Sequence, residues 1–120
     1  PGLFRRPSQE NPMPLAHQSV IEACTQCAVQ CHHCLAACLE ERNTDAMAAC
    51  IQLDAECAGI CQLMAQYLAQ DSRFTEDLAS VCARVCESCA EECGQHDMEH
   101  CQACADACRA CAQACHKLAA

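Results

Sequence analysis

Apolar positions recur in steps of three and four along most of the chain, the repeat of one face of an α-helix, and nowhere in the steps of two that mark a half-buried strand. The chemistry of that apolar seam is unusual. Cys24, Cys27, Cys31, Cys34 and Cys38 form one row, and Cys101, Cys104, Cys108, Cys111 and Cys115 repeat its spacing. Start and stop signals divide the chain into four helical segments. The first, about 15–42, follows Pro12 and Pro14 and runs into the polar stretch at 40–44. The second, about 44–70, is capped by Asn43 or Thr44, with Asp45 suited to the positive end of the helix dipole. The third, about 72–94, starts at Asp71 and Ser72 and stops at Gly94, whose tolerance of positive φ suits a C′ position. The fourth, about 97–118, is capped by Asp97. Short connections make consecutive helices antiparallel neighbours, so the predicted fold is all-α, an antiparallel up-down-up-down four-helix bundle with a Cys-lined core.

Heptad lettering places every cysteine inside. Besides the two rows, the third segment contributes Cys86 and Cys93 at a with Cys82 and Cys89 at d. The second is mixed: Met47, Asp54, Cys61 and Leu68 at a, Cys50, Cys57 and Met64 at d. Antiparallel order makes the two ends differ. Cys38, Met47, Cys50, Cys93, His96, Met98, His100 and Cys101 gather at one end, whereas Met64, Tyr67, Leu68, Phe74, Leu78 and Leu118 form an apolar plug at the other. Between them runs a thiol column about 21 Å long at helical rise.

Composition changes this picture little. A chain of 120 residues supports one domain, read as a flexible arm at 1–14 and a four-helix metal-storage domain at 15–120. Leu, Ile, Val and Phe are scarce, but Ala is abundant and protonated Cys packs as a small hydrophobe, so a thin core is still available. A net charge of −9 argues against nucleic acid as a partner. No apolar run is long enough to span a membrane. The chain opens on Pro instead of Met, so residues upstream are expected to have been removed, a lost export signal being one candidate.

Seventeen cysteines in a short chain ordinarily suggest a secreted disulfide scaffold. Here the count is odd, the spacing is helical throughout, and only three Gly are present, whereas such scaffolds are rich in loops and turns. Free thiols imply a reducing compartment or occupancy by metal. Thioredoxin-like redox chemistry needs a βαβ setting, and iron–sulfur ligation wraps its cluster in loop backbone. Neither is present in the pattern, and no enzyme is expected.

Thiols three or four apart on a helix are spaced to hold a soft ion in a nearly linear bridge, which suits Cu(I). Zn(II) asks for four ligands in a tetrahedron, and the second helix lacks Cys at Met47, Asp54, Met64 and Leu68, so complete four-sulfur layers are not expected to recur along it. Charge points the same way. One Cu(I) per thiolate cancels the buried charge, while Zn(II) with four thiolates of its own leaves a net double negative charge. A zinc or general soft-metal thiolate buffer, metallothionein-like, stands as the alternative.

The segments CxxCAxxCxxCxxxC at 24–38 and 101–115, CIQLDAECAGIC at 50–61 and CxxxCESCAEECGQHDMEHCQAC from Cys82 to Cys104 closely resemble the bacterial copper storage proteins, specifically their cytosolic branch. The resemblance covers about 17–118. It implies a cytoplasmic homo-tetramer of four-helix bundles that holds many Cu(I) ions on its core cysteines. Copper chaperones or low-molecular-weight thiols are the expected partners. It further implies that His96, Met98 and His100 assist ions at the open end, and Met47 joins the ligands by its position there. His32 and His33 lie off the seam and read as surface residues; His17 and His116 are peripheral. Asp54, inside the seam, is expected to be structural, and Met64 either fills a gap or donates a thioether. Leu53, Ile60 and Leu63 beside the seam are available for contacts between subunits.

Overall fold

The three-and-four spacing is realised as four helices, α1 Gln18–Cys38, α2 Ala48–Ala69, α3 Thr75–Gly94 and α4 Glu99–His116, with a 3₁₀ turn Thr44–Met47 leading into α2. The computed structural model describes residues 16–119, so the arm expected at 1–14 lies outside the described residues. α1 packs against α2 and α4, and α3 packs against the same two helices, leaving each diagonal pair to face across the core. Each neighbour in sequence is thus a neighbour in space. None of the described helices is long and apolar enough to cross a membrane.

All seventeen cysteines are fully buried, together with Asp54 and Met64; Met47 and Leu68 are nearly so. The lettering of the seam therefore holds at every a and d position it named. Buried alanines such as Ala28, Ala58, Ala83 and Ala105 flank the sulfurs and let the backbones approach. Val20, Met64, Leu68 and Ala79 close the end away from the histidines, with Tyr67, Leu78 and Leu118 half-buried around them. Phe74 does not join this plug. It precedes the first turn of α3, remains 52% exposed, and carries the Arg73 guanidinium 5.1 Å from its ring centroid.

The helix ends differ from expectation wherever local hydrogen bonding competes with the helix. α1 stops at Cys38 instead of 42, because the Glu40 and Glu41 amides turn back only three residues, to the Ala37 and Cys38 carbonyls. Asn43 does cap, its side chain accepting the Ala46 amide at 3.3 Å, but it caps the 3₁₀ turn rather than α2 itself. α3 begins at Thr75, not 72, because Ser72 is engaged elsewhere. Its amide closes α2 on the Tyr67 carbonyl, and its hydroxyl accepts the Phe74 amide. Asp97 does not cap α4: Met98 occupies that position in an extended conformation without a side-chain cap.

Gly94 was expected to leave the helix at positive φ, yet no glycine among the described residues does so. Gly94 is instead the last residue of α3, and a Cβ there would lie 3.1 Å from the Arg109 guanidinium. Its carbonyl is satisfied by the Gln102 side-chain amide, which also donates to the His96 carbonyl.

The left-handed stop falls on Asp71, with φ 53°. The amides of Asp71 and Ser72 bond the Leu68 and Tyr67 carbonyls, the crossed pair of a Schellman motif. An aspartate tolerates this conformation better than a β-branched residue does. Asp71→Gly is therefore expected to gain about 0.5 kcal/mol, and Asp71→Val to lose about 1–2 kcal/mol. The midpoints of urea unfolding report the difference, and coincident midpoints for the two variants would show that the backbone carries no strain there.

Candidate metal centre

Because the four seams converge, thiols distant in sequence become neighbours. Several buried quartets have all four sulfurs within 4.8 Å of one another. From the histidine end inward they include Cys34, Cys38, Cys50 and Cys101; Cys31, Cys89, Cys104 and Cys108; Cys27, Cys31, Cys57 and Cys108; Cys27, Cys57, Cys61 and Cys86; and Cys24, Cys82, Cys111 and Cys115. This corrects the expectation that four-sulfur groups would fail to recur. Helical pairs four apart, such as Cys104 with Cys108 or Cys111 with Cys115, supply two ligands from one helix, so a quartet forms even where α2 contributes none. Cys27, Cys31, Cys57 and Cys108 each belong to more than one quartet. The sulfurs form one continuous column and not a set of separate cages.

Sulfur–sulfur separations between bonded neighbours run from 3.6 to 4.0 Å, except Cys50 and Cys93 at 3.1 Å. All seventeen thiols are free. Burial is the leading cause that pushes the Cys101 thiol up to about 11 and also holds Cys38 up. Where one sulfur accepts several S–H groups the balance reverses, and Cys27, Cys57, Cys82, Cys89, Cys104 and Cys111 are drawn down. Cys50 is drawn down to about 3, first by donation from Cys34 and then from Cys93. A second thiolate a few ångströms away would repel the first, and no cationic side chain among the described residues is buried beside them. The apo column therefore consists mainly of neutral thiols.

Asp54 interrupts the column. Its Oδ1 accepts from the thiols of Cys104 at 3.3 Å and of Cys89 and Cys93 at 3.4 Å each, while Oδ2 lies 3.8 Å from Cys50 Sγ. Burial raises its carboxyl to about 10. Asp54 is protonated at neutral pH and joins thiols of α2, α3 and α4.

At the open end the structure gives the three residues that the sequence grouped different partners. The His100 ring places Nδ1 at 3.5 Å from Cys101 Sγ, 3.6 Å from Cys34 Sγ and 3.9 Å from Cys38 Sγ. Its Nε2–H donates to Glu41 at 3.1 Å, which fixes the tautomer that turns a lone pair toward the sulfurs. His96 instead binds Glu92 at 2.9 Å. Met98 packs half-buried against the core, and Met47 is buried near it. His32 and His33 are exposed on α1, His17 is exposed at its start, and His116 bonds Glu87 on the surface. Glu41, the partner that orients His100, was not among the expected site residues. Its only sequence signal is a place in the turn after α1, at the open end.

A helical bundle whose interior is a column of closely spaced thiols, plugged by apolar side chains at one end and faced by an imidazole at the other, is a container for soft metal ions. The chain belongs to the copper storage protein family, whose model matches residues 13–120. It is 47% identical over 103 residues to the uncharacterized cysteine-rich protein YhjQ of Bacillus subtilis (strain 168), covering 86% of this chain and 95% of that one. The Cu(I)-bound copper storage protein BsCsp3, from Bacillus subtilis, superposes with a TM-score of 0.82 at 47% identity over 86% of this chain and 97% of its own. A cytosolic copper storage protein from Streptomyces lividans, solved with five coppers, gives 0.83 at 38% identity over 86% and 91%.

Proposed function

We propose that this chain stores Cu(I) in the cytosol, taking many ions onto its core thiolates and holding them in reserve or out of harm's way. The observation that carries this reading is the sharing of sulfurs between quartets. Isolated tetrahedral Zn(II) sites need four private thiolates each, whereas Cu(I) accepts two or three bridging ones, so a shared column suits copper. Charge agrees with geometry. Monovalent ions replacing thiol protons keep the core neutral, and divalent ions in closed four-thiolate sites do not.

All seventeen cysteines are the storage ligands in this reading. His100 is the first nitrogen ligand at the open end, with His96, Met98 and Met47 as accessory donors around it. The bundle acts as a homo-tetramer, for which exposed Leu63 and half-buried Leu53 and Ile60 offer apolar surface along α2. Copper chaperones or low-molecular-weight thiols exchange ions with it.

Anaerobic titration of the reduced protein tests the proposal. Cu(I) is expected to saturate on the order of one ion per cysteine, with growing sulfur-to-copper charge-transfer absorption. Saturation at about four Zn(II) together with weak copper uptake would establish the general thiolate buffer instead.

A further inference from the structure

At the His and Met end, Met47 is only 2% exposed and Met98 is half-buried against the core, whereas His100 also lines the surface. A surface pocket of about 330 Å³ lies in the groove between α1 and α4, lined by Gln30, His33, Glu99, His100 and Ala103. It is large enough to seat part of a small molecule. His33 is exposed and adjoins Cys34, whose sulfur is one of the three that face His100 Nδ1. One pocket thus brings together an outer imidazole with no hydrogen-bond partner in the described structure and an inner imidazole already directed at thiols. His32, its neighbour in sequence, is also exposed but does not line the pocket.

We propose that this flank pocket is the receiving site at which Cu(I) on a small thiol carrier is transferred into the bundle, with His33 as the capture ligand and His100 as the relay to Cys34, Cys38 and Cys101. The proposal rests on the copper-storage reading. Imidazole is a suitable ligand for copper, and two imidazoles match the low coordination number of Cu(I). Copper remains Cu(I) throughout. One carrier thiolate leaves as a His33 ring nitrogen binds, and the second leaves as His100 Nδ1 binds. Two core thiols then displace the imidazoles, and their protons pass to the two freed carrier thiolates. Each step exchanges one ligand for another, and no free ion is released.

The test uses the full chain, reduced and metal-free under anaerobic conditions, mixed with a Cu(I)–glutathione complex while charge-transfer absorption is followed by stopped flow. His33→Ala is expected to slow the first phase about tenfold, the size of effect typical when a supporting group at a metal site is lost. Final copper content and helical circular dichroism should be unchanged, and His32→Ala should load like wild type. Ala103→Leu, which narrows the pocket without removing either imidazole, should also slow the first phase. Wild-type rates in His33→Ala or in Ala103→Leu would overturn the receiving site. Failure of the wild-type protein to hold many Cu(I) ions would instead overturn the storage reading, so the two failures are distinguishable.

Discussion

Acidifying the solution by one pH unit is expected to weaken Cu(I) binding about tenfold per ion, because each ion that enters replaces a thiol proton. The sign follows from the apo state. Burial holds Cys101 at about 11, above its ordinary 9.0, and holds Cys38 up as well, so these thiols are neutral at pH 7 and must ionise to bind. The proton they lose appears in solution, and mass action then makes the observed affinity fall as proton concentration rises. Neutral pH thus favours loading and acid favours release. Competition against a chelator of known protonation at pH 6, 7 and 8 gives the slope, and titration in weak buffer counts the protons released. A pH-independent affinity, or copper uptake without proton release, would mean that the column holds preformed thiolates.

Asp54→Asn is expected to stabilise the apo protein at pH 7 by about 2 kcal/mol, against the usual trend for substitutions in a core. The Asp54 carboxyl moves from its ordinary 3.8 to about 10 on folding, so between these values the native state binds a proton that the unfolded chain does not. Stability therefore falls as pH rises from about 4 toward 10, and holding this proton at pH 7 costs about 4 kcal/mol. Asn needs no proton. Its carbonyl can accept from Cys89, Cys93 and Cys104, but its amide N–H groups face sulfur, a weak acceptor, which offsets roughly half of the gain. Urea unfolding of reduced, metal-free protein should show a steep loss of stability between pH 5 and 8 in wild type and a shallow one in Asp54→Asn. Cys50, drawn down to about 3 from its ordinary 9.0, acts in the opposite sense, so the difference in slope between wild type and Asp54→Asn isolates the carboxyl. A variant that is less stable than wild type, with the slope retained, would show that the carboxyl does not carry the penalty.

These two expectations differ in how far the chain alone reveals them. That thiols point inward was legible from spacing, because a period of three and four leaves one stripe per helix and all seventeen cysteines occupy it. The apolar plug was legible for Met64 and Leu68, which sit on the same stripe, and not for Phe74, which lies just before α3 where the period carries no information. Helix ends were less legible. Ser72 and Asp97 look like caps, but Ser72 is taken up in closing α2, and the chain enters α4 through an extended Met98. Gly94 resembles a helix stop, and its absent side chain serves the close approach of Arg109.

The sequence by itself determined the four-helix bundle, its sulfur interior and its preference for soft ions, since side-chain direction on a helix follows from local backbone geometry. Only tertiary structure decided which sulfurs meet. Quartets that share Cys27, Cys31, Cys57 and Cys108, the four-thiol environment of Asp54, and the choice of His100 over His96 as the nitrogen facing the column all depend on the relative height of neighbouring helices. That height is set by loop lengths and by packing summed over whole helix faces, and a repeat within one helix holds no record of either.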